Sequence, residues 1–317
     1  MPDRRRLIAA AIASFVALSA PAAVARQTIT VLTGGTSGVY FPLGVAIAKI
    51  YSDKIPNVKV RVQATMGSVE NLILLRQGRG EVAFTIGDSL KAAWEGDAEA
   101  GFKGRFDTLR TIGAIYPSYI QIVATSDSGI RTLADLMGKT LSVGAPKSGT
   151  ELNSRAILAA AGMSYKDMKQ VEYLPFAESV ELMLNRRLDA TLQSAGLGVA
   201  SLKDLAISTG ITMVSVPKEI VDKVGPPFIS ATIPANTYTG QDKDVPTAAV
   251  VNYLVTSSAV SDDVAYQMTK LVYDSLPKLA NAHAAGKEIR LDTAASGSPV
   301  PLHPGALRYY REKGLTR

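Results

Sequence analysis

The chain has 317 residues, a formal net charge of +6, two histidines and no cysteine. Without cysteine there are no disulfides and no thiolate-held metal, and two histidines leave little to build a zinc site from. The positive excess is mild and unclustered, so nucleic acid is not expected as a partner.

Arg4, Arg5 and Arg6 lead into the apolar stretch Leu7–Ala20 and the small residues Ala23–Ala25. This is the grammar of a signal peptide over residues 1–25, which predicts a periplasmic chain beginning at Arg26. Its removal takes away three Arg and one Asp, lowering the charge from +6 to +4. The remainder carries no further apolar run of the roughly 20 residues a membrane span needs, and about 290 residues can bury a sizeable core in two lobes.

From residue 28 strand-like and helix-like segments alternate. "TITVLT" runs through "GGTSG" into a helix carrying Pro42 in its opening turn, and "VKVRVQAT" runs through "MGS" into "VENLILLRQG". "EVAFTIGD" and "TLRTIGAIY" are further strands, the first followed by the helical "SLKAAWEG". A second series opens with the strand "YIQIVAT" and the short helix "LADLMGK", then "TLSVGAP" feeding "KSGTE" and its helix. "VEYLPF", "AESVELMLNRRLDA" and "ITMVSV" continue the pattern. The β-branched stretch from Phe228 to Ser257 is extended chain returning to the first lobe, and "SDDVAYQMTKLVYDSLPKLANAH" and "PGALRYYREKG" are helical, with Ser261 as an N-cap. The alternation predicts an α/β fold of two lobes joined by two crossings near residues 117–121 and 243–249. Residues 26–118 and 246–317 form domain I and residues 119–245 form domain II. Ligands of such sheets sit at the carboxyl ends of strands, between the lobes.

Three bends share one chemistry there: Thr33–Gly38, Ala64–Asn71 and Ala145–Glu151 each set Gly beside Ser or Thr at a helix start. Glycine lets backbone approach a ligand, and the first helical turn offers unpaired N–H groups at its positive end. Each bend also has a purely structural reading. Ser148 and Glu151 have the spacing of a capping box, and Glu151 is an unwelcome neighbour for an anion unless it turns away. The recurrence of the bends in both lobes favours a carboxylate clamp. A P-loop fails because Thr150 stands where its lysine belongs, and a nucleophile elbow fails because Pro146 replaces its glycine. His303 in "PLHPGA" organises a turn rather than a reaction, so no enzyme, catalytic residue, metal or cofactor is expected. Asp88, at a strand end, caps the next helix or meets a ligand amine, and Tyr40, Tyr116 and Tyr119 either pack or close over a ligand.

The segments "GGTSGVYFPLG", "TMGSVENLILL", "SVGAPKSGTE", "TIPANTYTGQDKDVPT" and "PLHPGALRYYRE" together resemble, in order, those of TAXI-family solute receptors of TRAP transporters. The resemblance implies a two-lobed periplasmic-binding-protein fold, type II-like. It implies a monomeric receptor that closes on a small carboxylate, either a glutamate-like amino acid or a 2-oxoglutarate-like acid. The partners it implies are the integral-membrane TRAP transporter subunits, driven by an ion gradient. By motif match it assigns Thr36, Gly38, Tyr40, Ser68 and Asn71 to one jaw and Ser148, Gly149 and Thr150 to the other, with Tyr116 and Gln193 as further contacts. Lys147 departs from the family's small residue, either to pair a second carboxylate or to face solvent, and Thr239 departs from a usual proline. Alternatives are a binding protein of an ATP-driven importer, a ligand sensor of the same fold, and, from another class, a secreted α/β hydrolase.

Overall fold

A computed structural model describes residues 27–316 of the chain. The signal peptide expected over residues 1–25 lies outside the described residues. The first lobe begins with β1 (Gln27–Leu32), α1 (Tyr40–Lys54), β2 (Val58–Gln63), α2 (Ser68–Arg76), β3 (Val82–Ile86) and α3 (Gly87–Glu95). The long β4 (Leu109–Thr125) leads out of it into β5 (Thr140–Ser142), α4 (Gly149–Ala160), β6 (Gln170–Glu172) and α5 (Phe176–Leu184). Next come β7 (Ala190–Ala195), α6 (Ala200–Ser208), β8 (Ile211–Val214), α7 (Lys218–Val224) and β9 (Ile229–Ile233). The second long strand, β10 (Val245–Ser257), returns to α8 (Asp262–Tyr273), α9 (Leu276–Ala282) and α10 (Pro304–Glu312).

The strands hydrogen-bond in the order β2-β1-β3-β10-β4-β7-β5-β6, with β8 on β4 and β9 on β10. Pairing is parallel within β1, β2 and β3 and within β5, β6 and β7, as helical crossovers require, and antiparallel wherever β4 or β10 takes part. The two-lobed α/β architecture expected from the alternation is present. One boundary differs. "TLRTIGAIY" and "YIQIVAT" are a single strand of 17 residues, because Pro117, which cannot donate to a ladder, sits at an irregularity in β4 where its N–H is not missed. The helical stretch after Ser261 is in turn two helices, parted at Asp274 and Ser275.

The two long strands are the crossings. β10 pairs with β9 from Val245 to Ala249 and with β3 from Asn252 to Val255. β4 pairs with β10 as far as Tyr119 and with β7 from Tyr119 to Ala124. Between the pairs Pro117–Val251 and Ala114–Tyr253 the register slips, so that Ile115 and Tyr116 oppose Asn252 alone. Such a bulge bends a strand and re-aims its side chains. Three apolar clusters flank the sheet. One gathers Leu72, Phe102 and Phe106 in the first lobe, and another gathers Leu136, Ile157 and Met168 in the second. The third, built on Tyr51, Met268, Tyr309 and Tyr310, continues past the crossing to Leu202 and Leu205 of α6.

Candidate functional site

Between the lobes lies a cavity of about 340 Å³, at the small end of ligand pockets (~300–1,000 Å³). Four helices begin at its wall: Tyr40 of α1, Ser68 of α2, Gly149 of α4 and Phe176 of α5 all line it. Each follows a strand-to-helix bend, two from either lobe. Three of the four carry the pattern of Gly beside Ser or Thr that is visible in the sequence. The fourth, Pro175–Phe176, carries no glycine, and its signal is the proline at the entry of a helix.

The local bonding of these bends decides which groups are left for a ligand. In α4 the Ser148 hydroxyl caps the helix by accepting the Glu151 amide at 3.1 Å. Glu151 does not complete the box. Its carboxylate turns outward to Arg155 and the Tyr165 hydroxyl, and the Ser148 amide donates to Ala145 O instead. That leaves the Gly149 and Thr150 amides without an acceptor inside the helix. In α2 the Asn71 amide makes the first helical bond to Gly67 O, and the Glu70 amide donates across the cleft to Lys147 O at 3.0 Å. The Ser68 and Val69 amides are left over in the same sense. Each such end favours an anion by roughly 0.3–1 kcal/mol when exposed and up to about 2 when partly buried.

Of the residues assigned from the sequence, Gly38, Tyr40, Ser68, Tyr116, Ser148, Gly149 and Thr150 line the cavity, and Thr36, Asn71 and Gln193 do not. Thr36 is exposed on its loop. Asn71 is fully buried beneath the bends. Its amide donates to Thr33 O and Phe84 O, and its carbonyl accepts from the Thr65 hydroxyl. Gln193 faces the opposite side of β7, where its carbonyl accepts from Ser201. Lys147 is exposed and lies outside the cavity, in a left-handed conformation (φ 59°) that turns its carbonyl toward Glu70. Asp88 is not the cap of its helix. α3 begins at Gly87, and the Asp88 carboxylate accepts from Asn153 of α4 at 2.6 Å.

Several residues went unread in the sequence. Ile86, Ser118, Phe176 and Ser194 also line the cavity. Beneath it, the fully buried Asn252 of β10 fills the bulge, donating to Tyr116 O at 2.9 Å and Ser118 Oγ at 2.8 Å and accepting from the Tyr40 hydroxyl. Its signal is a lone amide inside the β-branched run "AAVVNYLVTS". The Tyr40 ring stacks on Phe84 and meets Tyr116 edge-on. Burial pushes both phenols above their ordinary value, so both stay neutral hydrogen-bonding groups. The Tyr116 and Ser194 hydroxyls are enclosed and have no partner. Among the described residues Glu70 is the only carboxylate in the lining and no Lys, Arg or His lines it, and the Glu70 carboxylate accepts from the Met66 amide.

His303, at 1 % exposure, accepts the Gly305 amide and bonds Val260 O, which is the turn-organising role read for it. Among the described residues no group of three or more His, Cys, Asp or Glu is placed to hold a metal, and no helix is long and apolar enough to cross a membrane.

A model of the NMT1-like family matches residues 31–314. Among solved structures, the chain is similar to PhnD1 from Prochlorococcus marinus in complex with methylphosphonate, with a TM-score of 0.61, 11 % identity, and 92 % and 99 % of the two chains covered. It is similar to the periplasmic binding protein BugD, with a TM-score of 0.56, 11 % identity and coverage of 91 % and 94 %. It is also similar to the alkanesulfonate-binding protein SsuA from Xanthomonas axonopodis pv. citri bound to MOPS, with a TM-score of 0.52, 15 % identity and coverage of 92 % and 94 %. At these identities the likeness is one of fold, and the fold is that of periplasmic binding proteins.

Proposed function

The chain belongs to the NMT1-like family, and from that premise we propose that it is a solute receptor working outside the cytoplasm, which holds a small organic anion between its lobes. The observation that carries this reading is the meeting of four helix N-termini at one cavity between the lobes, with no basic side chain among the described residues that line it. Backbone amides fixed in direction hold a carboxylate, sulfonate or phosphonate without the entropy cost of ordering a long lysine or arginine. The phosphonate bound by PhnD1 and the sulfonates bound by SsuA are anions of this kind. Gly38, Ser68, Ser148, Gly149 and Thr150 form the two jaws, and Tyr40 and Tyr116 close the floor between them.

Nothing in the cavity supplies a nucleophile with a base, so its chemistry is recognition. The lobes close by bending at the bulge of β4 and β10, and the ligand favours the closed state because only there do both pairs of helix ends face it. The five ordered segments shared with TAXI receptors support delivery to an ion-gradient-driven TRAP transporter as the next step.

A thermal-shift screen of organic anions tests the reading. A ligand at 100 times its Kd stabilises the protein by about 2.7 kcal/mol. Replacing Ser68 and Thr150 together by Ala is expected to weaken binding while leaving the circular dichroism unchanged. Unaltered affinity in that double variant removes both residues from the site.

A further inference from the structure

We infer that the cavity selects a small organic anion with a single negative charge, a largely apolar body and an uncharged hydrogen-bonding group, over dicarboxylates and amino acids. The inference rests on the receptor reading above and concerns what that same cavity accepts.

Charge balance comes first. Four helix ends each act as roughly +0.5 of an elementary charge. The Glu70 carboxylate in the same lining opposes them with −1, and no side-chain cation adds to them. The net is near one positive charge, which one carboxylate neutralises. A second carboxylate would be enclosed with hydroxyls but no cation, the arrangement in which a buried charge is most costly. Lys147, the side chain that might have supplied that cation, is exposed and outside the cavity.

An amine fares no better. An ammonium needs a carboxylate and several acceptors. The one carboxylate available, Glu70, already accepts the Met66 amide and sits in the first turn of α2, whose positive end repels a cation.

Apolar surface makes up most of the rest of the wall, with Val39, Ile86, Ala145, Ala195, the Phe176 ring and the face of Tyr116. A ligand that is polar all round would shed its water there for nothing in return. Among the enclosed hydroxyls of the lining residues two are unspent. The Tyr116 hydroxyl, on a residue with no exposed surface, and the Ser194 hydroxyl each lack a partner. Both can donate or accept, which suits a keto, hydroxyl or phenol oxygen. Leaving such groups unpaired is what makes a pocket reject an analogue lacking the matching oxygen.

The test is isothermal titration of the purified chain with three sets of probes. The first is 4-hydroxybenzoate, phenylpyruvate and 4-methyl-2-oxopentanoate. The second is 2-oxoglutarate, succinate and L-glutamate, and the third is the neutral 4-hydroxybenzamide. At least one apolar monoanion is expected to bind about tenfold or more tighter than every member of the second set, with the amide bound weakest. If 2-oxoglutarate, succinate or glutamate binds as tightly as the best monoanion, the inference falls and the receptor reading stands. If no anion binds at millimolar concentration, both fall. Tyr116→Phe, checked by circular dichroism, is expected to weaken 4-hydroxybenzoate or the oxo acids about tenfold more than it weakens benzoate. An equal loss for benzoate overturns the role of the hydroxyl.

Discussion

At Gly149 there is no room for a side chain: a Cβ would lie 2.6 Å from Ile86 Cγ2 and 2.8 Å from Ser68 Oγ, both on the opposing lobe. Gly149→Ala therefore acts as a wedge at the point where α2 and α4 meet. The expected result is a folded protein with weaker ligand binding and a larger radius of gyration by small-angle scattering when ligand is added; an unchanged affinity would mean the jaws have slack. Ser148→Ala removes the one side-chain cap of α4 and is expected to cost about 1 kcal/mol in urea unfolding. Both residues were legible in the sequence because the grammar of a helix start is local. Asn153 and Asn252 were not, because their meaning lies in partners 65 and 136 residues away. A buried amide in a chain of apolar residues announces that something must satisfy it, but not what. The same limit explains Asn71, where position in a motif pointed to a ligand and the structure shows three bonds to the scaffold.

Among the elements, the pair β4 and β10 does what no other pair does, since each strand belongs to both lobes. Asn252 spends its whole amide on the bulge between them. Asn252→Leu leaves Tyr116 O, Ser118 Oγ and the Tyr40 hydroxyl short of partners in a buried place, and the expected loss is about 1–3 kcal/mol per group left unsatisfied. Urea denaturation reads this directly, and a loss well under 1 kcal/mol would mean water replaces the amide. The alternation of strand and helix was visible from composition and period alone, as were three of the four bends. The continuity of β4 was not, since Pro117 and Ser118 between two β-branched runs look like a break until the bulge gives the proline a place. The bend before α5 was missed for the converse reason, as Pro175 and Phe176 lack the glycine that marked the other three.

Across the whole molecule, the lobes are joined by polar contacts as well as by strands. The Glu70 amide reaches Lys147 O, and Asn153 reaches Asp88, a residue of α3. Burial pushes the Asp88 carboxyl up to about 7, against the opposing pull of the nearby amides of Ser89 and Asp88 and of the Asn153 side chain. Asp88 Oδ1 and Asn153 Oδ1 are enclosed acceptors without a donor, and a proton on the carboxyl supplies one. Tyr40, the titratable neighbour that feels this carboxylate, stays neutral throughout. A carboxyl raised in the folded state stabilises most below its unfolded value near 3.8, and that contribution is lost as the pH rises through about 7. Stability is thus expected to fall between pH 4 and 7.5 by up to ~1.4 kcal/mol per pH unit relative to Asp88→Asn, which carries no such proton. Parallel pH profiles for the two proteins would show that Asp88 titrates normally.

The hinge has no loop in it. Both connections at the level of the cavity are paired strands, and their bulge holds Tyr116, whose side chain lines the cavity. If the lobes close on a ligand as proposed, its release requires two hydrogen-bonded strands to flex together, so its residence time is a property of sheet bending as much as of the contacts made. A substitution that stiffens β4 or β10 without touching the cavity would lengthen the dwell of every ligand alike. A substitution at Tyr116 would alter the dwell of some ligands and not others. Dissociation rates measured over a ligand series would separate the two.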